Sequence, residues 1–390
     1  MEKRNVTTNL VAALLVVIAV LGYGLISKAG NLEPSAGPAP TMKTLDEVEP
    51  RIPIGADTTP GDSNNTYVIT QPGSYYLTGN FTSNFRHGIL IASDDVRVDL
   101  MGYRLWSSYC IVSGNLDFDG IHVAAGLRNI EIRNGTIASD NRQVGIVFYR
   151  GFRDGIHAET GVQQLHVKNV CISDSRDDGI ETDFLTGHRV ENCTVLNNGD
   201  YGMYLGWDPY GSVVKSNIVK ANGSYGIGCG CGSVVAGNLV EANGDGIIAN
   251  TGSTITNNTV SYNGTSADDI VYGIYSSDGC IVSGNAIYYN GGSAQTAVYA
   301  LHAGHKNTIS ANTVFLNGGS ANGNVRGIDA DNGCTIIDNT VCENGPGATG
   351  SVYGIYTGTY CLVDRNTAYN NNGTNLHTEG GCVLGTNCAP

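Results

Sequence analysis

The chain is short of positive charge. Its 390 residues carry 21 Lys and Arg against 35 Asp and Glu, a formal net charge of −14. That balance argues against nucleic acid as a partner. It also disfavours long-range attraction of polyanions, so an anionic substrate needs a local cationic patch or a bound cation. Charge of either sign is scarce, at 14% of residues. Met is scarce at 4, and no His or second Cys recurs at ligand spacing, which argues against a metal-handling protein. Helical periodicity is missing from the repeated part of the chain: no stretch there places apolar residues at i, i+3 and i+4.

What is there is repetition. The skeleton Asn-x-[Val/Ile/Ala]-x-x-Asn starts at Asn192, Asn217, Asn238, Asn258, Asn285, Asn312, Asn339 and Asn366, with the second Asn five residues on each time. The last five copies are spaced by 27 residues and the earlier ones by 25, 21 and 20. Upstream of most copies sits an aromatic residue or Asp followed by Gly-Ile, as in Asp178-Gly179-Ile180, Tyr225-Gly226-Ile227 and Tyr272-Gly273-Ile274, with Tyr299-Ala300-Leu301 and Arg326-Gly327-Ile328 as variants. Periods in this range mean a solenoid, propeller or array, and a propeller blade needs about 40 residues and four strands. Each period holds two or three alternating apolar runs punctuated by Gly, Asn and Ser. Strands so short are stable only if each period is one coil of a parallel β-helix, pairing with the coils before and after. Like residues then fall about 4.8 Å apart, and stacked Asn amides bond to one another up the ladder.

The opening of the repeat carries a resemblance. Residues 69–79 (Ile-Thr-Gln-Pro-Gly-Ser-Tyr-Tyr-Leu-Thr-Gly), Gly-Ile-Leu-Ile at 88–91 and Asp-Val-Arg-Val-Asp-Leu-Met-Gly-Tyr-Arg-Leu at 95–105 resemble secreted bacterial proteins of the pectate-lyase-like superfamily. Met101-Gly102 stands where those proteins usually have Asn-Gly. The resemblance implies an all-β, right-handed parallel β-helix. It leaves function open, because that fold hosts lyases, hydrolases, epimerases and proteins with no known activity.

Residues 1–29 read as a signal peptide or a membrane anchor. Glu2, Lys3 and Arg4 precede an apolar run at 10–26, and Ser27-Lys28-Ala29 is a small-x-small cleavage site. Either reading places the remainder outside the cytoplasm, secreted or attached to the membrane through 10–26. Residues 30–62 are linker and N-terminal cap, with a short capping helix expected at 44–49 from the box Thr44-x-x-Glu47 and the stop at Pro50. Residues 63–390 form the β-helix, expected as a monomer. Of 11 Cys, an odd number, Cys280, Cys334 and Cys361 share a column and read as core residues; Cys382 and Cys388 are placed to close the last coil with a disulfide.

Side chains alternate faces along a strand. If the Ile of each Gly-Ile points inward, the residues two and four after the Gly point outward. Those are His122, His157 with Glu159, Glu181 with Asp183, Tyr204, Tyr275, His302 and Tyr356. The first coils bring two His, three carboxylates and a Tyr into a patch of about 15 Å. About ten residues are inserted beside it, near 143–153, and they include Tyr149, Arg150 and Arg153. These are the parts for acid–base work on an extended polysaccharide. His157 or Tyr204 is a base for the C5 proton of a uronate. Arg150 or Arg153 neutralises the carboxylate, or Ca²⁺ does so, held by Glu159, Glu181 and Asp183. His122, Tyr275, His302 and Tyr356 are the substrate-binding candidates. Asp177-Asp178 and Gly187-His188 resemble polygalacturonase signatures, but Arg189 stands in place of the third expected Gly. The plainer reading is that a solenoid's outer positions are polar anyway. On it, Asp154, Asp178 and Asp245 only form turns, the column Tyr201, Tyr225, Tyr272, Tyr299, Tyr353 seals a corner, and the protein is a non-catalytic surface or glycan-binding scaffold.

Overall fold

A computed structural model describes residues 13–17, 51–83, 86–107, 110–112, 118–140, 148–183, 187–207, 211–264, 270–292, 294 and 296–390, without the side chains of 110–112 and 148–150. Residues 13–17 are helical, and no helix among the described residues is long and apolar enough to cross a membrane. The helix expected at 44–49 lies outside the described residues.

From Arg51 onward the chain is a right-handed parallel β-helix. The first rung, Arg51–Pro53, pairs in parallel with Gly73–Tyr76, so the coils begin inside the stretch read as linker and cap. Among the described residues, one sheet holds the Gly-Ile strands, 13 of them, from Asn65–Ile69 to Thr374–Thr378. The other, 24 strands, is built from the two short strands that flank each first Asn, such as Thr254–Thr256 and Thr259–Ser261. Inward residues (Ile156, Ile180, Met203, Ile227, Ile247, Ile274) are wholly buried in one continuous core. The Gly of Gly-Ile is needed for close approach: a Cβ on Gly179 would lie 2.4 Å from Val195 and 2.5 Å from the carbonyl of Gly202.

The corners explain the Asn columns. Non-glycine residues such as Asn257, Tyr262, Tyr289 and Leu316 sit at φ of 55–56° just before a ladder Asn. That left-handed conformation costs roughly 1–2 kcal/mol for an L-residue. The amides offset it. Asn285 Nδ2 donates to Asn312 Oδ1 at 3.0 Å and to the Ile255 carbonyl at 2.9 Å, and its Oδ1 accepts from both the backbone and the side chain of Asn258. One column runs from Asn217 to Asn366 and on to Asn387; the other runs from Asn198 to Asn371 and on to Asn375. The first repeat is therefore read one residue early in the sequence. Cys193 and Asn198 hold the ladder positions, while Asn192 and Asn197 are the left-handed residues before them.

One further expectation is corrected. Cys382 and Cys388 are separate thiols, and Cys382 Sγ donates to the Gly358 carbonyl at 3.1 Å. In the 27-residue coils the segments containing Gly291-Gly292 and Gly318-Gly319 are packed. Ala294, Ala321, Val271, Val298, Val325 and Val352 form a small buried core of their own, and Ser320 N–H bonds back to the Gly292 carbonyl.

Candidate functional site

Register brings the expected outer column together. His122 pairs with His157, His157 with Glu181, Glu181 with Tyr204, and the column continues through Gly228, Ile248, Tyr275, His302, Asp329, Tyr356 and His377. The clustered chemistry is at its N-terminal end. His87, Asp119, His122, Arg153, His157, Glu159, Thr160 and Asp183 line an open cavity of about 440 Å³.

Two linked units make the site. In the first, buried Asp119 receives His122 Nδ1 at 2.8 Å, while His122 Nε2 lies 2.9 Å from Glu159 Oε1. The carboxylate behind the ring fixes its orientation, and Glu159 at the front is 43% exposed and also accepts the Ala125 N–H. His87 packs at 4.5 Å against His122, and His122 at 5.3 Å against His157. Burial opposes the charge on Asp119, but hydrogen bonds from His122 and His87 and the charge of Arg153 win, so its carboxyl stays below the usual range.

In the second unit Arg153 reaches out of the inserted segment. Its Nε donates to Asp154 Oδ2 at 2.8 Å and its Nη2 to Glu181 Oε2 at 3.0 Å, and it abuts the His157 ring. His157 Nδ1 lies 3.2 Å from Asp154 and 3.1 Å from Glu181. Burial pulls that imidazole down, but its hydrogen bonds to Asp154 and Glu181 outweigh burial and lift its pKa to about 10. Glu181 is lowered to about 2, first by the hydrogen bond with His157. Asp154 goes the other way, to about 7, because burial of a fully enclosed carboxyl outweighs the hydrogen bond to His157. Asp178, one coil on, is raised to about 9 by burial and then by the charge of Asp154. His157 Nε2 is buried and has no partner among the described residues.

Several expected residues have other places. Tyr204 shares the column but does not line the cavity. It packs against Tyr201 and Trp207, and burial, with Glu181 and Asp183 nearby, raises its phenol. A phenol pushed upward is no base at neutral pH. The Arg150 backbone pairs antiparallel with Cys110, and its side chain lies outside the described residues. Glu159, Glu181 and Asp183 do not converge as calcium ligands. Glu159 is held by His122 and the Ala125 amide, Glu181 by Arg153 and His157, and Asp183 by the Thr160 hydroxyl. The carboxylates that do converge with each other are Asp177, Asp178 and Asp200, and separately Asp154, Asp178 and Glu181. His188 is buried, with neither nitrogen bonded among the described residues, and burial lowers it to about 4, so the Gly-His resemblance leads into the interior. Tyr275, His302 and Tyr356 lie farther along the column, away from this cavity.

Sequence reasoning missed Asp119 and His87. Both were legible as the residue before Gly in Asp119-Gly120-Ile121 and His87-Gly88-Ile89, the same position that Asp154 and Asp178 occupy. Reading that position only as a turn hid it. The turn role is nonetheless real: Asp154 Oδ1 accepts the Asp178 N–H at 2.9 Å, and Asp178 Oδ1 accepts the Tyr201 N–H at 2.7 Å. One carboxylate does both jobs.

Comparison with known proteins agrees with this architecture. A family model described as "Right handed beta helix region" matches residues 73–260. The match covers slightly less than half of the chain and agrees with the right-handed parallel β-helix fold. Among solved structures it is similar to the A-module of the mannuronan C-5 epimerase AlgE6 of Azotobacter vinelandii (13% identity, 82% of this chain and 91% of that one, TM-score 0.52). It is also similar to a substituted form of the periplasmic alginate epimerase AlgG (14%, 87% and 83%, TM-score 0.50). A third is the DFA-IIIase of Arthrobacter chlorophenolicus A6 without its lid, in complex with GF2 (12%, 80% and 83%, TM-score 0.50). At these identities the likeness is one of fold. No curated protein matches the chain.

Proposed function

We propose that this is an extracytoplasmic, polysaccharide-active enzyme that removes the C5 proton of a uronate in a lyase-like reaction. One observation carries it: an oriented imidazole, His122 on buried Asp119, faces the same open cavity as a cationic pair, Arg153 and His157. The fold neighbours support the substrate class, since two of them are named for acting on mannuronan or alginate. The N-terminal apolar run supports the location.

The roles follow from the contacts. Asp119 holds His122 Nδ1–H, leaving Nε2 to accept the C5 proton once Glu159 turns away. Arg153 and the His157 imidazolium stand against the charge that builds on the uronate carboxylate. The C5–H electron pair forms the C4=C5 bond, the C4–O bond breaks, and the leaving oxygen takes a proton from His157. Arg153 fills the neutralising role without calcium. The test is absorbance at 235 nm over a panel of uronate polysaccharides. A rise with one of them is expected; none with any polymer overturns the elimination, and removal of the C5 proton is then judged by deuterium exchange.

A second reading is hydrolysis, and one observation favours it. Asp154 at about 7 and Glu181 at about 2 are neighbouring carboxyls pushed apart, the arrangement that divides acid and base roles. New reducing ends without a 235 nm rise would select it.

A further inference from the structure

A second cluster lies on the same sheet, its centre seven rungs beyond His157, roughly 34 Å along the axis at the usual strand spacing. Between them the outer column passes Gly228 and Ile248, which bring no titratable side chain. The cluster is centred on Asp329, whose side chain is 6% exposed. His302 Nδ1 lies 2.7 Å from Asp329 Oδ2, and Arg326 Nη1 donates to Asp329 Oδ1. The Arg326 guanidinium lies 3.9 Å over the ring of Tyr356, and its Nε–H has no acceptor among the described residues. Tyr275 packs on His302 at 5.1 Å; Tyr356 stacks on His377 at 4.9 Å with rings 12° apart, and its hydroxyl donates to Glu379 at 2.7 Å.

A buried ion-paired anchor under a row of half-exposed rings is more than generic solenoid surface. Ordinary outer positions need no buried Asp shared by an Arg and a His. The anchor fixes His302 and Arg326 in place, and the flanking rings present flat apolar faces with polar edges. A sugar ring offers the matching surface: C–H groups on one face, hydroxyls and a carboxylate at its rim.

We propose that Tyr275, His302, Arg326 and Tyr356 form a distal sugar-binding platform that holds the same polysaccharide whose reacting unit lies at His122 and Arg153. This rests on the reading of the first cluster as a polysaccharide site. One chain running along the sheet meets no charged side chain of the outer column at Gly228 and Ile248 between the two. A substrate long enough to span both is gripped at both; a short oligosaccharide at the first cluster gains nothing from the platform.

The experiment compares wild type with Tyr356→Ala, Arg326→Gln and Tyr356→Phe, using polymannuronate, polygalacturonate and their trisaccharides. For the polymer that is turned over, Tyr356→Ala and Arg326→Gln are expected to raise KM about tenfold, equivalent to about 1.4 kcal/mol of binding, with kcat unchanged. Trisaccharide kinetics are expected to stay as in wild type. Tyr356→Phe keeps the ring and is expected to keep the affinity, which separates lost stacking from a misfolded coil. An unchanged polymer KM, or an equal loss with the trisaccharide, overturns the platform. Affinity electrophoresis in gels cast with each polymer serves as a readout free of turnover. If no polymer is turned over, the enzymatic reading fails on its own and the gels judge the platform. Retardation of wild type that is lost in Tyr356→Ala supports it. Retardation that is absent, or equal in both, overturns it.

Discussion

The first coils and the last coils obey the same pairing rules and spend their side chains differently. From Asn258 on, the repeat is a constant 27 residues. There both Asn columns are saturated with hydrogen bonds, the Gly-Ile strands lengthen to six residues, and the inserted segments build a second core. From Ile121 to Leu205 the spacing varies, the Gly-Ile strands are three residues long, and the residue before the Gly is Asp at 119, 154 and 178. The same position in the regular half is held by Tyr272, Tyr299, Arg326 and Tyr353. An Asp there accepts the N–H of the next coil and can also carry charge, so Asp119 and Asp154 turn a structural position into part of a site. The regular half shows what the fold requires, and departures from it in the irregular half mark where chemistry is placed.

The sharpest way to break this contrast is to separate the two jobs. Asp119→Asn keeps an acceptor oxygen at the corner and removes the charge behind His122. We expect kcat on the active polysaccharide to fall by about 10²–10⁴, with the thermal midpoint little changed. A collapse of stability with activity per folded molecule intact would make Asp119 a corner residue only.

The converse is made in the regular half. Asn285→Ala removes an amide with three buried partners and should destabilise by roughly 1–3 kcal/mol in urea unfolding, leaving kcat unchanged. Asn375→Ala, at the less buried end of the second column, should cost less. Equal losses at the two positions would mean that the ladder is solvated throughout.

A smaller effect lies in the pH dependence. The folded-state pKa of His157, about 10, is above its unfolded value of 6.5. Its contribution to stability is therefore complete below about 6.5 and is lost as pH rises through about 10. Glu181 is depressed to about 2, so its contribution is present above 4.5 and lost as pH falls through about 2. Asp154, raised to about 7, favours the folded state below 3.8 and loses that contribution as pH rises through about 7. His157→Gln should flatten the decline in stability between pH 6.5 and 10. NMR titration of the imidazole should show a midpoint near 10, and a midpoint near 6.5 would contradict the carboxylate cage. The smallest expected change is Tyr204→Phe, which should leave kcat within error because its phenol packs beside the cavity rather than in it.

The β-helix was legible because its causes are periodic. Identical Asn, Gly and Ile positions recur, and alternation along each strand fixes which residues share a column; the outer column from His122 to Tyr356 follows from that register alone. Three things were not legible. The ladder of the first repeat is displaced by one because Asn192-Cys193 and Asn197-Asn198 offer an Asn at the left-handed position too. The second small core gave no signal, because Ala294, Ala321 and the Val column meet only between neighbouring coils. The site's buried carboxylates stood one residue before the Gly, where Asp also serves as a turn-former. Whether such an Asp meets a His and an Arg depends on coil-to-coil contacts that no single repeat contains.

The most direct test of the central claim is proton exchange at C5. Wild type and His122→Ala are incubated in D₂O with polymannuronate and with polygalacturonate, and the polymers are read by NMR alongside 235 nm absorbance. The account predicts that wild type produces unsaturated ends, or deuterium at C5, with one of the polymers, and that His122→Ala produces neither. Loss of neither signal in His122→Ala, or the absence of both in wild type, would contradict it.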